Sequence, residues 1–302
     1  MIAVVGHTSV ETTVPAGLLG DTDAFGEHAL STSVSGVGVN VALALHTLGQ
    51  DVRLASVVGD DLLGSVCVRT LAARGLDPGY VVRATPATAQ SLVRHEPDGR
   101  RVNLVDLKDV QRAAYPPELV PGLLADVSLA VLGTIGYARP LLAEARERGV
   151  PVAADVQAVS GPDDAYNSDW LAGADLLFAS HERLDRTPRD FVEALHRRYA
   201  TAVVVVGLGG DGALLGVRGG PLLHVPAVRT RDVVSTVGAG DALFAAFVDG
   251  WSRGLDPRAA LRRATYFASW KVGAAGGAAG YLDRPGLDAL VAPGVLSGPE
   301  QH

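Results

Sequence analysis

Short apolar runs and longer helix-spaced stretches alternate along most of the chain. Ile2-Ala3-Val4-Val5 is an unbroken apolar run closed by Gly6, the pattern of a strand buried on both faces. Similar runs at 52–58, 129–132, 152–154, 176–178 and 202–206 predict further strands. Helix-spaced stretches fall between them at 39–48, 62–74, 116–125, 140–148 and 189–199, the first two stopped by Gly49 and Gly75. Later, 213–217 and 222–225 predict a small antiparallel pair, and helices are expected near 239–252, 257–274 and 285–292. Strands that alternate with helices call for an α/β fold with a mostly parallel sheet covered on both faces.

Two polar stretches, about 7–35 and 80–108, interrupt this rhythm. In the second, 91–94 and 101–105 flank Pro97-Asp98-Gly99, a turn signal, so a hairpin outside the main sheet is expected. Together the two stretches predict one small projecting sheet, a candidate lid on a single domain spanning 1–302. The Ala/Gly-rich stretch 273–280 reads as a loop.

Composition narrows the function classes. With 302 residues, 48% hydrophobic and 20% charged, the chain has the makings of a soluble globular protein with an ample core. A net charge of −7 gives no general electrostatic case for nucleic acid. No apolar run reaches the roughly 18–20 residues of a membrane helix, and the N-terminus lacks the basic region of a signal peptide. Cys67 is the single cysteine, so no intrachain disulfide is possible; it is expected to be buried in a helix. These features point to a cytoplasmic protein.

The candidate chemistry centres on Gly238-Ala239-Gly240-Asp241, which opens an apolar helix. Such a turn exposes unpaired N–H groups and the positive end of the helix dipole, a corner that attracts an anion, most often phosphate. Asp241 in that corner is either a helix cap or a working carboxylate. Competing chemistries lack their signatures. No Gly-Lys-Ser/Thr loop, Gly-x-Ser-x-Gly elbow or His/Cys metal cluster is present. The series Gly207, Gly209, Gly212 resembles a dinucleotide fingerprint, but a strand rather than a helix is predicted after it, which weakens an oxidoreductase reading. One reaction uses both features of the corner. Asp241 takes the proton from an alcohol while the helix terminus holds charge developing on a transferring phosphoryl group.

The chain resembles the ribokinase-like sugar kinases, the PfkB family, over nearly its whole length. The family's C-terminal signature, D-T-x-G-A-G-D, stands as Ser235-Thr236-Val237-Gly238-Ala239-Gly240-Asp241. Its N-terminal G-G-x-x-x-N turn stands as Ser35-Gly36-Val37-Gly38-Val39-Asn40, with the helix ending at Leu48-Gly49. The opening strand leads to Glu11, where an aspartate is usual, and the L-G-x-x-G nucleotide turn matches Leu208-Gly209-Gly210-Asp211-Gly212.

The resemblance implies a ribokinase-like three-layer sandwich, ATP and Mg2+ as cofactors, and a homodimer contact through the lid. It implies Asp241 as catalytic base and the N–H groups of Gly238, Ala239 and Gly240 as an anion hole. Glu11, Gly36 and Asn40 would bind substrate hydroxyls. Gly207, Gly209, Gly212, Thr265 and Ser180 would lie by the nucleotide, with Glu182 the metal residue. Read without the family, Glu11 is an exposed loop acid and Asn40 a helix N-cap.

Several positions depart from the family pattern. Ser235 replaces the acid that helps hold a monovalent cation, which leaves potassium activation without its usual carboxylate. Ser180-His181-Glu182-Arg183 stands where N-x-x-E is usual, and Asp155-Val156-Gln157 where D-x-N is common. Val37 replaces a frequent lysine, so no obvious clamp exists for a phosphate already on the substrate. The lid offers little besides Phe25 to stack a base. The expected substrate is therefore an unphosphorylated sugar. A nucleoside remains an alternative, a phosphosugar stays open through Arg94, Arg100 and Arg101, and the altered Ser235 and Ser180–Arg183 positions also admit a non-catalytic ligand-binding relative.

Overall fold

A computed structural model describes residues 1–18, 23–96 and 101–292. Its strands are β1 (Ile2–Val5), β2 (Ser9–Pro15), β3 (Ser31–Ser35), β4 (Val52–Gly59), β5 (Val81–Thr85), β6 (Ala89–His95) and β7 (Arg101–Asp106). They continue with β8 (Leu129–Leu132), β9 (Val152–Ala158), β10 (Leu176–Ser180), β11 (Val203–Gly207), β12 (Ala213–Val217) and β13 (Leu222–Val225). The helices are α1 (Val37–Thr47), α2 (Leu62–Ala73), α3 (Val120–Leu123), α4 (Leu141–Glu147), α5 (Ser168–Gly173), α6 (Pro188–Arg198), α7 (Ala239–Ser252), α8 (Pro257–Lys271) and α9 (Arg284–Val291).

Nine strands form the main sheet in the order β13-β12-β11-β10-β9-β8-β1-β4-β5, parallel except for the antiparallel pairing of β12 with both neighbours. The apolar runs have no polar alternation because both sheet faces are covered. Ile2 and Val4 enter a core shared with Leu43, Phe244 and Leu261, whereas Ala3 and Val5 enter one shared with Leu141, Trp170 and Phe191. Val203 and Val205 divide from Val204 and Val206 in the same way. Phe178 of β10 packs on Phe244 and Phe247 of α7, with ring centroids 5.0 and 5.2 Å apart. These contacts fix the helix that carries Asp241 against the sheet.

A separate four-stranded sheet has the order β3-β2-β6-β7. The expected hairpin is present as the antiparallel pair β6–β7; its Pro97-Asp98-Gly99 turn lies outside the described residues. One boundary needs correction. The stretch expected to join the small sheet at 80 first forms β5, which pairs with β4 at the edge of the main sheet. Val81 and Val82 pack into the two opposite cores, so this run has apolar partners on both faces there. The chain crosses to the small sheet afterwards, at Thr88, whose N–H and hydroxyl both bond Asp61 at the start of α2. On β7 at one edge of the small sheet, Val102, Leu104 and Val105 are exposed, as are Phe25 and Leu30 in the segment leading into β3 at the other edge; a dimer contact is expected through this sheet. Cys67 is buried in α2, and burial pushes its thiol up to about 12.

Candidate active site

The strand order reverses beside β1, which has β4 on one side and β8 on the other. In open α/β sheets, ligands settle outside the carboxyl ends of the strands at such a reversal. Here a crevice lined by Val5, Gly38, Val131, Gly133 and Asp155 lies at that point. The close approach of α1 to the end of β1 depends on Gly38, where a Cβ would stand only 2.7 Å from the Gly6 Cα. That approach sets the first turn of α1, which carries Asn40, at the end of β1.

Three predicted residues, Glu11, Asn40 and Asp241, are linked around that turn. Asn40 donates its Nδ2–H to Asp241 Oδ2 at 2.7 Å. Ser35 Oγ lies 3.1 Å from Asn40 Oδ1 and 3.3 Å from Glu11 Oε2, and its one proton serves one acceptor at a time. Glu11 Oε1 accepts the Gly277 N–H at 3.2 Å. The chain Glu11–Ser35–Asn40–Asp241 thus joins β2, β3, α1 and α7. Glu11, Ser35 and Asn40 are buried, while Asp241 is half-buried at the opening. Neither Glu11 nor Asn40 is the simple surface feature it would be in isolation. Glu11 is not an exposed loop acid, and Asn40 is not the N-cap of α1, a position held by Gly36.

Asp241 does not cap its own helix either. The N-cap is Gly238, at φ 75°, and a Cβ there would lie 2.5 Å from the Gly277 carbonyl. Only glycine combines that left-handed conformation with that contact. Of the three expected anion-hole donors, Ala239 is corrected: its N–H already bonds the Thr236 carbonyl at 3.2 Å. The N–H groups of Gly238 and Gly240 have no partner among the described residues. The space beside Gly240 is open, since a Cβ added there would meet nothing within 4 Å. Burial raises the Asp241 carboxyl above its ordinary range, and the nearby Glu11 adds to this. The Asn40 hydrogen bond and the charges of Arg101 and Lys271 act in the opposite sense.

Asp155, in the middle of β9, is a second carboxyl and lines the crevice. Burial pushes it up to about 7, and the Asp241 charge contributes. His7 is held down at about 4 by burial, so its ring is neutral near pH 7. Arg101, from the start of β7, donates to the Thr236 carbonyl and lies 3.3 Å from its hydroxyl, so a cation from the small sheet sits on the glycine-rich turn.

The other predicted residues form a separate group. Gly207 ends β11, and Gly209 and Gly212 bracket the tight turn into β12. That strand removes the helix a dinucleotide fingerprint requires. His181 bonds the Gly207 carbonyl at 2.9 Å, tying this turn to the end of β10. Ser180 caps the short turn 181–183 by accepting the Glu182 N–H. Glu182 is exposed, and among the described residues no group of three metal-type ligands exists. A single open carboxylate suits Mg2+, which keeps several waters and takes other ligands from phosphates. Thr265 is not brought to either group by any hydrogen bond; its hydroxyl bonds the Arg262 carbonyl one turn back in α8.

Two residues of the first group are not foreseeable from the motifs. Tyr281 donates toward the Asn40 and Gly277 carbonyls at 3.1 and 2.9 Å. Lys271 ends α8 fully buried. Its rarity is the available signal, since it is one of only two lysines.

No helix is long and apolar enough to cross a membrane among the described residues. A family model described as pfkB family carbohydrate kinase matches residues 1–284. An ATP-dependent ribose-1-phosphate kinase from Halopiger xanaduensis is 29% identical over 293 residues, covering 95% of each chain. A nucleoside kinase from Methanothermobacter thermautotrophicus is 26% identical, covering 90% of this chain and 89% of the relative. Among solved structures, a microbiome-derived acarbose kinase superposes with a TM-score of 0.87 at 26% identity, covering 96% of this chain and 98% of the other.

Proposed function

The chain belongs to the pfkB family of carbohydrate kinases, and from that membership we propose that it transfers a phosphoryl group from ATP to a hydroxyl of a small, unphosphorylated sugar. The observation that carries this reading is the 2.7 Å bond from Asn40 to Asp241 at the opening of α7. It fixes one carboxylate oxygen and leaves the half-buried group in the first turn of α7, beside two N–H donors that have no partner among the described residues.

In this mechanism Asp241 accepts the proton of the substrate hydroxyl as the hydroxyl oxygen bonds to the γ-phosphorus of ATP and the bond from that phosphorus to ADP breaks, ADP being the leaving group. The base works best when its pKa approaches the working pH, and burial moves Asp241 in that direction. Glu11 and Asn40 orient the substrate's hydroxyls, and the N–H groups of Gly238 and Gly240 stabilise the charge on the transferring group. Gly207, Gly209 and Gly212 give the nucleotide a close backbone approach. Glu182 would hold Mg2+, which neutralises phosphate charge when bound.

A phosphorylated sugar is the second reading. It is favoured by Arg101, whose guanidinium rests on Thr236 and whose charge reaches Asp241. An ADP-release screen over pentoses, hexoses, their phosphates and nucleosides tests both. The highest kcat/KM is expected for an unphosphorylated sugar. A phosphosugar in first place, with the advantage lost in Arg101→Ala, replaces the first reading by the second. No ADP release with any acceptor overturns the activity.

A further inference from the structure

Lys271 is the only lysine or arginine among the described residues that is fully buried. The other fully buried charge, Asp249, pairs with Arg284 at 3.1 Å. Lys271 pairs with no carboxylate among the described residues. Its ammonium donates instead to two backbone carbonyls, Gly276 at 2.7 Å and Ala274 at 3.5 Å. A buried ammonium without a carboxylate partner is costly to desolvate. Three things offset the cost: the carbonyl dipoles, the negative end of α8 in whose last turn Lys271 lies, and the more distant charges of Glu11 and Asp241, which oppose Arg231 and Arg101.

The loop held this way underlies both halves of the Asp241 corner. Gly277 gives its N–H to Glu11. Its carbonyl accepts from Tyr281, which also reaches the Asn40 carbonyl, and it backs directly onto Gly238. Moving this loop would move Glu11, Asn40 and the glycine-rich turn together.

We propose that Lys271 is a built-in monovalent cation: its ammonium positions the loop 273–280 beneath Glu11 and the glycine-rich turn before Asp241, so that turnover needs no added monovalent ion. Lys271 is a positioning residue, and the proposal rests on the kinase reading above. The physical basis is that an ammonium is a compact point charge and that carbonyl oxygens also coordinate potassium. Burial lowers the Lys271 pKa from 10.5 to about 8. The positive charge is therefore present at neutral pH and is lost as pH rises through that value. An alkaline decline of kcat near pH 8 is expected, and it should be absent when residue 271 cannot titrate.

The test compares wild type, Lys271→Ala and Lys271→Met in tetramethylammonium, potassium and ammonium chlorides at equal ionic strength, reading kcat and Tm. Wild-type kcat is expected to be the same in all three salts. Both variants should lose about 10–100-fold in kcat, the scale for removing a group that orients a site. Potassium or ammonium should restore part of the loss and raise Tm in Lys271→Ala, whose side-chain space is vacated. They should do neither in Lys271→Met, whose thioether fills it, and tetramethylammonium is too large to act in either. Potassium activation of the wild type overturns the proposal. So does a folded Lys271→Ala with wild-type kcat, or with a loss that no small cation repairs. If the wild type shows no kinase activity, the functional reading fails, while the salt dependence of Tm in Lys271→Ala still decides the cation site.

Discussion

The two groups of predicted residues differ in how far the protein has already organised them. On the substrate side, Glu11, Ser35, Asn40 and Asp241 are linked by hydrogen bonds, and three of the four are buried. On the nucleotide side, the turn 207–212 and the segment 180–182 offer glycines, one cap and an exposed carboxylate. The first group spans two strands of the small sheet and two helices of the main core, so its geometry is set by folding. The second sits on adjacent strand ends, and the open space around Gly209 and Gly210 leaves contacts for a ligand to complete, while Gly212 packs against the backbone of Val225 and Pro226. The difference separates the roles in physical terms. A base must be aimed before the reaction, because misplacement by a fraction of a bond length is expensive in rate, whereas a phosphate cradle can close on its ligand.

The sharpest way to break that comparison is Asp241→Asn. The amide keeps the shape of the carboxylate but cannot take a proton, so kcat is expected to fall by about 10²–10⁴, the usual contribution of a positioned general base. Steady-state kinetics with the best acceptor from the ADP-release screen measure it. The Tm should stay close to wild type. Turnover near that of the wild type would remove Asp241 from the chemistry and leave its bond to Asn40 as an architectural contact.

Much of this arrangement is legible in the sequence, and the reasons for the exceptions are specific. The parallel sheet is readable because runs such as Val203–Val206 are buried on both sides and need no polar face. The turn before α7 is readable because Gly238 must take a positive φ. The short α5 escapes because six residues hold only Trp170 and Leu171 as buried apolar positions, too few to show a period. The placement of β5 is misjudged because local pattern does not reveal which sheet offers a free edge. Within the site, the meeting of Asn40 with Asp241 spans 201 positions and no spacing rule predicts it. Lys271 escapes for a similar reason: its carbonyl partners come from a loop whose composition signals only irregular backbone.

Asn40→Ala sharpens the same comparison at a lower cost in rate. A hydrogen bond to a charged group contributes about 1.5–3 kcal/mol, so a drop in kcat of about 10–100-fold is expected. The pH profile carries more information than the magnitude. Burial already raises the Asp241 pKa, and the Asn40 hydrogen bond opposes that rise. The working carboxylate is lost as pH falls through this raised value. Removing the amide lifts the value further, so the acid limb of kcat/KM should move to higher pH in Asn40→Ala. A limb that stays in place or moves down would show that it belongs to another group, and Asp155, already near 7, would be the one to examine.

Glu182→Gln probes the loosely organised half and should give the smallest effect. The side chain is exposed and has no protein partner among the described residues, so its removal leaves nothing buried and unpaired. Its charge is screened by solvent, and the expected change is about a two- to fivefold rise in KM for Mg-ATP, the scale of an exposed charge contact. The kcat should be nearly unchanged, and the effect should shrink as Mg2+ is raised. A fall in kcat as large as that of Asn40→Ala would mean that Glu182 is drawn into the reacting centre when nucleotide binds. The nucleotide side would then be as exacting as the substrate side, with its order supplied by the ligand instead of the fold, and the contrast between the two halves would hold only for the unliganded protein.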